Sequence, residues 1–134
     1  MAAEGLVNVA SKSGFQETVA RFRKDVESRG LTLFAFIDHA KGAEEAGLAL
    51  RPTAVLIFGN AKGGTPLMQA NQTIGIDLPL RALVWEDGKG HAWISYNDPV
   101  WLARRHALPA KAEQVAETLR EGLESIVKSA AGYA

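Results

Sequence analysis

The chain has 134 residues, 47% of them apolar and 22% charged, with 15 lysines and arginines balanced by 15 aspartates and glutamates and no cysteine. That length suits one domain, expected to span residues 1–134, with a single core. The charge balance offers no electrostatic footprint to a phosphate backbone, which excludes nucleic acid as the expected partner, and the missing cysteines exclude disulfides, thiolate metal sites and a cysteine nucleophile.

Leu6 to Ala10 alternates apolar with small or polar residues, the period of a strand. Ser13, with Gln16 three positions on, predicts a capped helix start. Phe15, Val19, Phe22 and Val26 then share one helical face, and Gly30 predicts a left-handed stop. Leu31 to Ile37 reads as a second strand, Asp38 to Gly47 as one or two helical turns, and Thr53 to Phe58 as an apolar, central strand. Thr65 and Pro66 supply a cap and a first helical residue, predicting a short helix from Pro66 to about Asn71. Pro79 opens a strand to Glu86, Asp87 to Gly90 is a hairpin turn, and His91 to Asn97 is the return strand. Asp98 and Pro99 repeat the cap-then-proline pattern and start a helix through His106. Pro109 restarts the chain into a long helix to about Lys128, with Val115, Leu119, Leu123, Ile126 and Val127 as its buried stripe. The order β-α-β-β-β-β-α predicts the α+β class, a two-layer sandwich whose antiparallel sheet of about five strands carries helices on one face.

The N-terminus from Met1 to Asn8 has neither a basic start nor an apolar run, so no signal peptide is expected. No segment approaches the roughly 20 apolar residues of a membrane span. A cytoplasmic protein without a membrane partner is the expectation, and near-zero net charge permits copies to associate.

The densest polar and glycine-rich stretch is Gly59 to Thr65, between a strand and a helix start. Backbone N–H groups of Gly63, Gly64 and Thr65, with Asn60 and Lys62 beside them, suit a small anion. Thr65 and Pro66 stand where a P-loop needs lysine and serine or threonine, so this is no nucleotide loop. A tight turn whose glycines supply positive φ angles explains the same residues with no ligand at all.

Pairing Glu86 with His91 across the hairpin puts Arg81 opposite Tyr96, a pair able to hold a carboxylate or phosphate or to serve as a structural hydrogen bond. The same register sets Trp85 and Trp93 on opposite faces. Of the three histidines none has metal-site spacing, and no metal or cofactor is expected, although folding could bring His39 to Asp77 or Asp98. Ser95 has no nucleophile-elbow motif. His106, beside Arg104 and Arg105, reads as a helix end.

The words Phe58-Gly59-Asn60, Gly64-Thr65-Pro66-Leu67-Met68, Asp77-Leu78-Pro79-Leu80-Arg81, Trp85-Glu86-Asp87 and Tyr96-Asn97-Asp98-Pro99, with Ile37-Asp38-His39 before and Arg105-His106 after, resemble the family called domain of unknown function 302. The resemblance covers about residues 5 to 130. It implies a two-layer α/β fold with a curved antiparallel sheet, similar to half of the TATA-binding protein, and it implies homodimers. It supplies no reaction. Ala61 stands where that family usually has proline, and Asn71-Gln72-Thr73 replaces a segment that often carries one.

Three readings of function follow. One is a non-catalytic binder of a small anionic ligand, using Asn60, Lys62, Gly63, Gly64, Thr65, Arg81, Tyr96 and His39. Another is an acid–base enzyme with His39 as base and Arg81 and Tyr96 polarising the substrate. A third is a homodimeric interaction module without a ligand.

Overall fold

The computed structural model describes residues 3–133; the N-terminal reading above rests partly on Met1 and Ala2, which lie outside that range. Five strands form one sheet in the order β1-β5-β4-β3-β2, every neighbouring pair antiparallel. They are β1 (Leu6–Ala10), β2 (Thr32–Asp38), β3 (Thr53–Gly59), β4 (Leu80–Glu86) and β5 (Ala92–Asn97). The helices are α1 (Phe15–Ser28), α2 (His39–Glu45), α3 (Ala61–Ala70), α4 (Pro99–Arg105) and α5 (Ala110–Ala130), with a 3-10 turn at Gln72–Asp77. This is the expected α+β architecture.

Local chemistry explains most boundaries. At the end of α1, Gly30 adopts φ +70, and its N–H reaches Glu27 O while Leu31 N–H reaches Val26 O. Those two bonds satisfy the last carbonyls in the manner of a Schellman motif. Asp98 caps α4 by accepting from Val100 N–H at 2.9 Å, with Pro99 in the first helical turn. At the start of α1, however, Ser13 is not the cap. Gly14 holds that position without a side-chain bond, and Ser13 Oγ instead accepts from Arg21 Nη1 at 2.7 Å.

The hairpin register differs by one residue from the sequence expectation. Glu86 faces Ala92 and Ala82 faces Tyr96. Asp87 sets this longer turn. Its N–H donates to His91 O, and its Oδ1 accepts from the N–H groups of Lys89 and His91, both at 2.9 Å. A one-residue slip exchanges the faces of every side chain. Ala82, Val84, Ile94 and Tyr96 therefore point into the core, while Arg81 stands on the other face. Trp85 and Trp93 share that face and stack with centroids 6.0 Å apart.

Two apolar clusters share α5. The larger lies between the sheet, α1 and the C-terminal half of α5, around Phe22, Leu56, Ile94 and Ile126. The smaller gathers Leu67, Ile74, Val100 and Ala116 from α3, the 3-10 turn, α4 and the N-terminal half of α5. Leu123, Ile126 and Val127 are buried as the stripe predicts, but Val115 and Leu119 are only half-buried and pack on the smaller cluster rather than on the sheet core. The seam between the clusters is where the candidate site lies.

Candidate functional site

The first helix residue after β3 is Ala61, not Pro66. Asn60 is extended at φ −150 and ψ 160 and caps α3, its Oδ1 accepting from Gly63 N–H at 2.8 Å. Thr65 is therefore helical rather than a cap, and Pro66 sits inside the helix, where the missing N–H leaves Lys62 O without its i+4 donor. Two cap signals lie five residues apart, and the upstream one starts the helix. The cost to the anion reading is direct: Gly63 and Gly64 N–H groups both bond back to Asn60 O, so these expected donors are already used within the cap.

What the junction does build is an open-mouthed cavity of about 530 Å³ between α3, α5 and the sheet. Its walls come from both clusters, with Leu31 and Phe58 on one side, Met68 and Leu78 on another, and Leu119 and Ile126 from α5. Asn60, Gly63, Gly64 and Thr65 line it as well. The β2–β3 ladder shifts between Leu33 and Ala35, and the Phe34 this leaves out of register is 54% exposed at the rim.

Glycines let neighbouring walls of this space approach closely. A Cβ on Gly63 would meet Leu119 Cδ2 at 3.0 Å, and one on Gly75 would meet Met68 Sδ at 3.2 Å. Gly122 is different. It sits within the 21-residue α5 and lines the cavity, yet a Cβ there would have no neighbour within 4 Å. Glycine in a helix interior costs about 1 kcal/mol relative to alanine. Gly122→Ala is accordingly expected to stabilise the protein by about 1 kcal/mol in urea unfolding; a loss of stability would show that the helix needs glycine for its own packing.

Other expected site residues stand apart from the cavity. Lys62, Arg81, Tyr96 and His39 are not among its walls. Arg81 is exposed on the face opposite Tyr96, because the register is one residue from that expected. Tyr96 is 5% exposed and belongs to a separate recess with Val9, Val127 and Tyr133. Burial, and then the charges of Glu124 and Asp98, push its hydroxyl up to about 12. His39 is exposed at the first position of α2. The three residues proposed as an acid–base constellation thus form no common cleft.

Asp77 and Asp98, weighed as metal partners for His39, are engaged elsewhere. Asp77 accepts both a two-oxygen contact from Arg105 Nη1, at 2.8 and 2.7 Å, and a hydrogen bond with His106 Nε2. His106 Nδ1 is 2.9 Å from Thr73 Oγ1, and Asn71 Nδ2 donates to His106 O. This Thr73–His106–Asp77 arrangement ties the 3-10 turn to α4. Sequence reading missed it because its members are distant in the chain, although Asp77 and Arg105-His106 both lie in the family-like words. Asp98 receives Arg120 Nε and Nη2 at 3.0 and 3.1 Å, and that bond raises the Arg120 guanidinium further above its ordinary value. Among the described residues no group of three or more histidines and carboxylates is placed to hold a metal.

Asp87 gives a pH signature. Its Oδ2 accepts from Trp93 Nε1 at 2.9 Å, and this bond, with the backbone bond to His91, lowers the carboxyl to about 2. A depressed folded-state value means that the contribution is complete above the ordinary value of 3.8 and is lost as pH falls through about 2. Trp93 fluorescence is expected to change across that acid window, and Asp87→Asn to remove the step. A wild-type titration that is flat from pH 5 to pH 1.5 would contradict the assignment.

Comparison with known proteins places this geometry in a family. The model of "Domain of unknown function DUF302" matches residues 7–126. A protein of Brucella suis biovar 1 (strain 1330) named fluoride-specific ion channel FluC 1 is 47% identical over 128 residues, covering 96% of this chain and 50% of that protein. The protein of that name from Brucella abortus biovar 1 (strain 9-941) is also 47% identical over 128 residues, covering 96% of this chain and 47% of its own length. The chain therefore spans about half the length of the curated relatives it matches. Among the described residues no helix is long and apolar enough to cross a membrane. The crystal structure of an uncharacterized conserved DUF302 protein from Bacillus stearothermophilus superposes with a TM-score of 0.85 at 19% identity, covering 96% of this chain and 99% of that one, which shows a common fold. The matched span, nearly the whole chain from β1 to α5, makes this protein a member of the DUF302 family.

Proposed function

We propose that the domain is a non-catalytic, cytoplasmic binder of a small anionic ligand, held in the cavity between α3, α5 and the sheet. The observation that carries this reading is Arg29 at the cavity rim. Among the described residues its side chain has one hydrogen bond, from Nη1 to Ser125 Oγ at 3.0 Å. Among the described residues no carboxylate lies within ion-pair distance of it. A guanidinium carries five N–H donors, so most of this one is available to an anion. The cavity volume, about 530 Å³, lies in the range of roughly 300–1,000 Å³ usual for small-ligand sites.

The names of the half-length-matched relatives suggest where such a domain serves. We read it as a ligand-responsive unit that some proteins carry alongside a fluoride channel, rather than as the pore. Fluoride itself suits the cavity poorly, since apolar walls do not replace the hydration of a small anion. The test is a nuclear magnetic resonance titration with benzoate and, separately, with fluoride. Benzoate is expected to shift the amides of Gly59 to Met68 and Thr118 to Gly122, and fluoride to leave them in place. Benzoate shifts confined to other elements would sink the reading.

Homodimer formation is part of the same proposal. The sheet face opposite α1 and α5 carries half-buried Val55, Ile57, Leu83 and Trp85, and Ile37 is 44% exposed there. Such a surface favours a two-fold contact between copies. Light scattering at micromolar concentration should report twice the chain mass. A persistent monomer would remove the dimer.

A further inference from the structure

We propose that the anion taken by this cavity is an amphiphile, a monocarboxylate with a medium-length alkyl body lying along α5 and its carboxylate on Arg29. The inference rests on the reading of the cavity as a ligand site and adds the chemistry of the ligand's other end.

The cavity walls decide against a wholly polar anion. Leu31, Phe58, Leu78, Leu119 and Ile126 present apolar surface around the space. Among the described residues, only three uncharged polar side chains stand in the walls: Asn60, Thr65 and Thr118. Asn60 Oδ1 is held by Gly63 N–H, and Thr118 Oγ1 donates to Gln114 O at 3.3 Å. A phosphate or a short hydrophilic acid deep among these apolar walls would lose water and gain few hydrogen bonds in return. An alkyl chain gains from the same walls with each methylene buried. Met68, whose unbranched thioether adapts to irregular shapes, forms part of the lining.

The rim decides the head group. Arg29 supplies a planar fork matched to the two oxygens of a carboxylate. A single guanidinium matches a single negative charge. Lys62, the nearest lysine in sequence to the cavity residues, is not among the walls, so among the described residues no second cation lines the cavity for a dianion. Gly122 on α5 leaves the passage clear at the mouth, since a side chain there would project into empty space.

The experiment is isothermal titration of the full chain with acetate, octanoate, decanoate and decanol, each below its aggregation limit. Decanoate should bind about 16-fold more tightly than octanoate, from about four-fold per methylene. Arg29→Gln should weaken decanoate at least ten-fold and leave decanol unchanged, and Gly122→Leu should weaken both. Circular dichroism verifies that each variant is folded. Acetate binding as tightly as decanoate, still dependent on Arg29, would overturn the amphiphile and leave the anion-binding reading standing. Decanol binding as tightly as decanoate, with no effect of Arg29→Gln, would overturn anion recognition itself. Binding of none of the four would overturn both.

Discussion

Phe22→Ala is expected to lower the unfolding free energy by about 3–5 kcal/mol. Phe22 is fully buried and meets Phe58 edge-on, with centroids 5.2 Å apart and an interplanar angle of 68°. Truncation removes the apolar transfer energy, leaves a cavity that Leu56 and Ile126 on neighbouring elements cannot both fill, and breaks the aromatic pair. Since small domains are stable by only about 5–15 kcal/mol, one substitution would remove a large share of the total. Urea unfolding should show the midpoint falling with an unchanged slope. A loss under about 1 kcal/mol would mean that α1 packs on the sheet through a different face.

The second large effect is expected at Gly5. This residue has φ +78, a conformation that side chains resist. A Cβ there would also stand 2.7 Å from Trp101 Cε3 and nearer still to other atoms of the indole. The contact is with the body of a ring rather than the tip of a flexible chain, so little can give. Gly5 O accepts from Asp98 N–H at 2.8 Å, so the strain would act on the point that ties the approach to β1 to the cap of α4. Gly5→Ala should cost about 2–5 kcal/mol, combining backbone strain with overpacking. Trp101→Leu in the same chain should restore part of the loss. If Gly5→Ala unfolds at the wild-type urea midpoint, the close approach of strand and indole is wrong.

The features legible in the sequence are those set by adjacent residues. The Gly30 stop, the Asp98–Pro99 start and the turn residues after Glu86 each act over one turn of chain, and their chemistry is written in neighbouring letters. Asn60 and Thr65 both satisfy the requirements of a cap, so the local sequence does not place the beginning of α3, and only packing against α5 and the sheet chooses between them. The hairpin register went astray by one residue for a similar reason: Asp87 can either begin a four-residue turn or close a five-residue one, and its side-chain bonds to Lys89 and His91 select the latter. That single step separated Arg81 from Tyr96 and dissolved the proposed cleft. Four of the expected site residues, Asn60, Gly63, Gly64 and Thr65, do line one cavity, although by forming a helix wall rather than an anion nest. Nothing local in the sequence marks Arg29 or Gly122, because their part depends on an empty volume that no local pattern encodes.

The placement of β1 has a consequence for the newly made chain. The strand lies beside β5, and Asn8 Oδ1 accepts from Ser95 Oγ, a residue 87 positions further on. Lys12 N–H then reaches Ala131 O at 2.8 Å. During synthesis α1 can close its final turn as soon as Leu31 has emerged, and the β4–β5 hairpin can pair as a local unit. The first strand has no such neighbour and waits for the fifth. Contacts of this span slow folding, because the loop entropy is lost before the pairing is gained. Of the five strands, β1 is thus the one whose pairing partner is made latest after it, and its unpaired edge stays open for the longest stretch of synthesis.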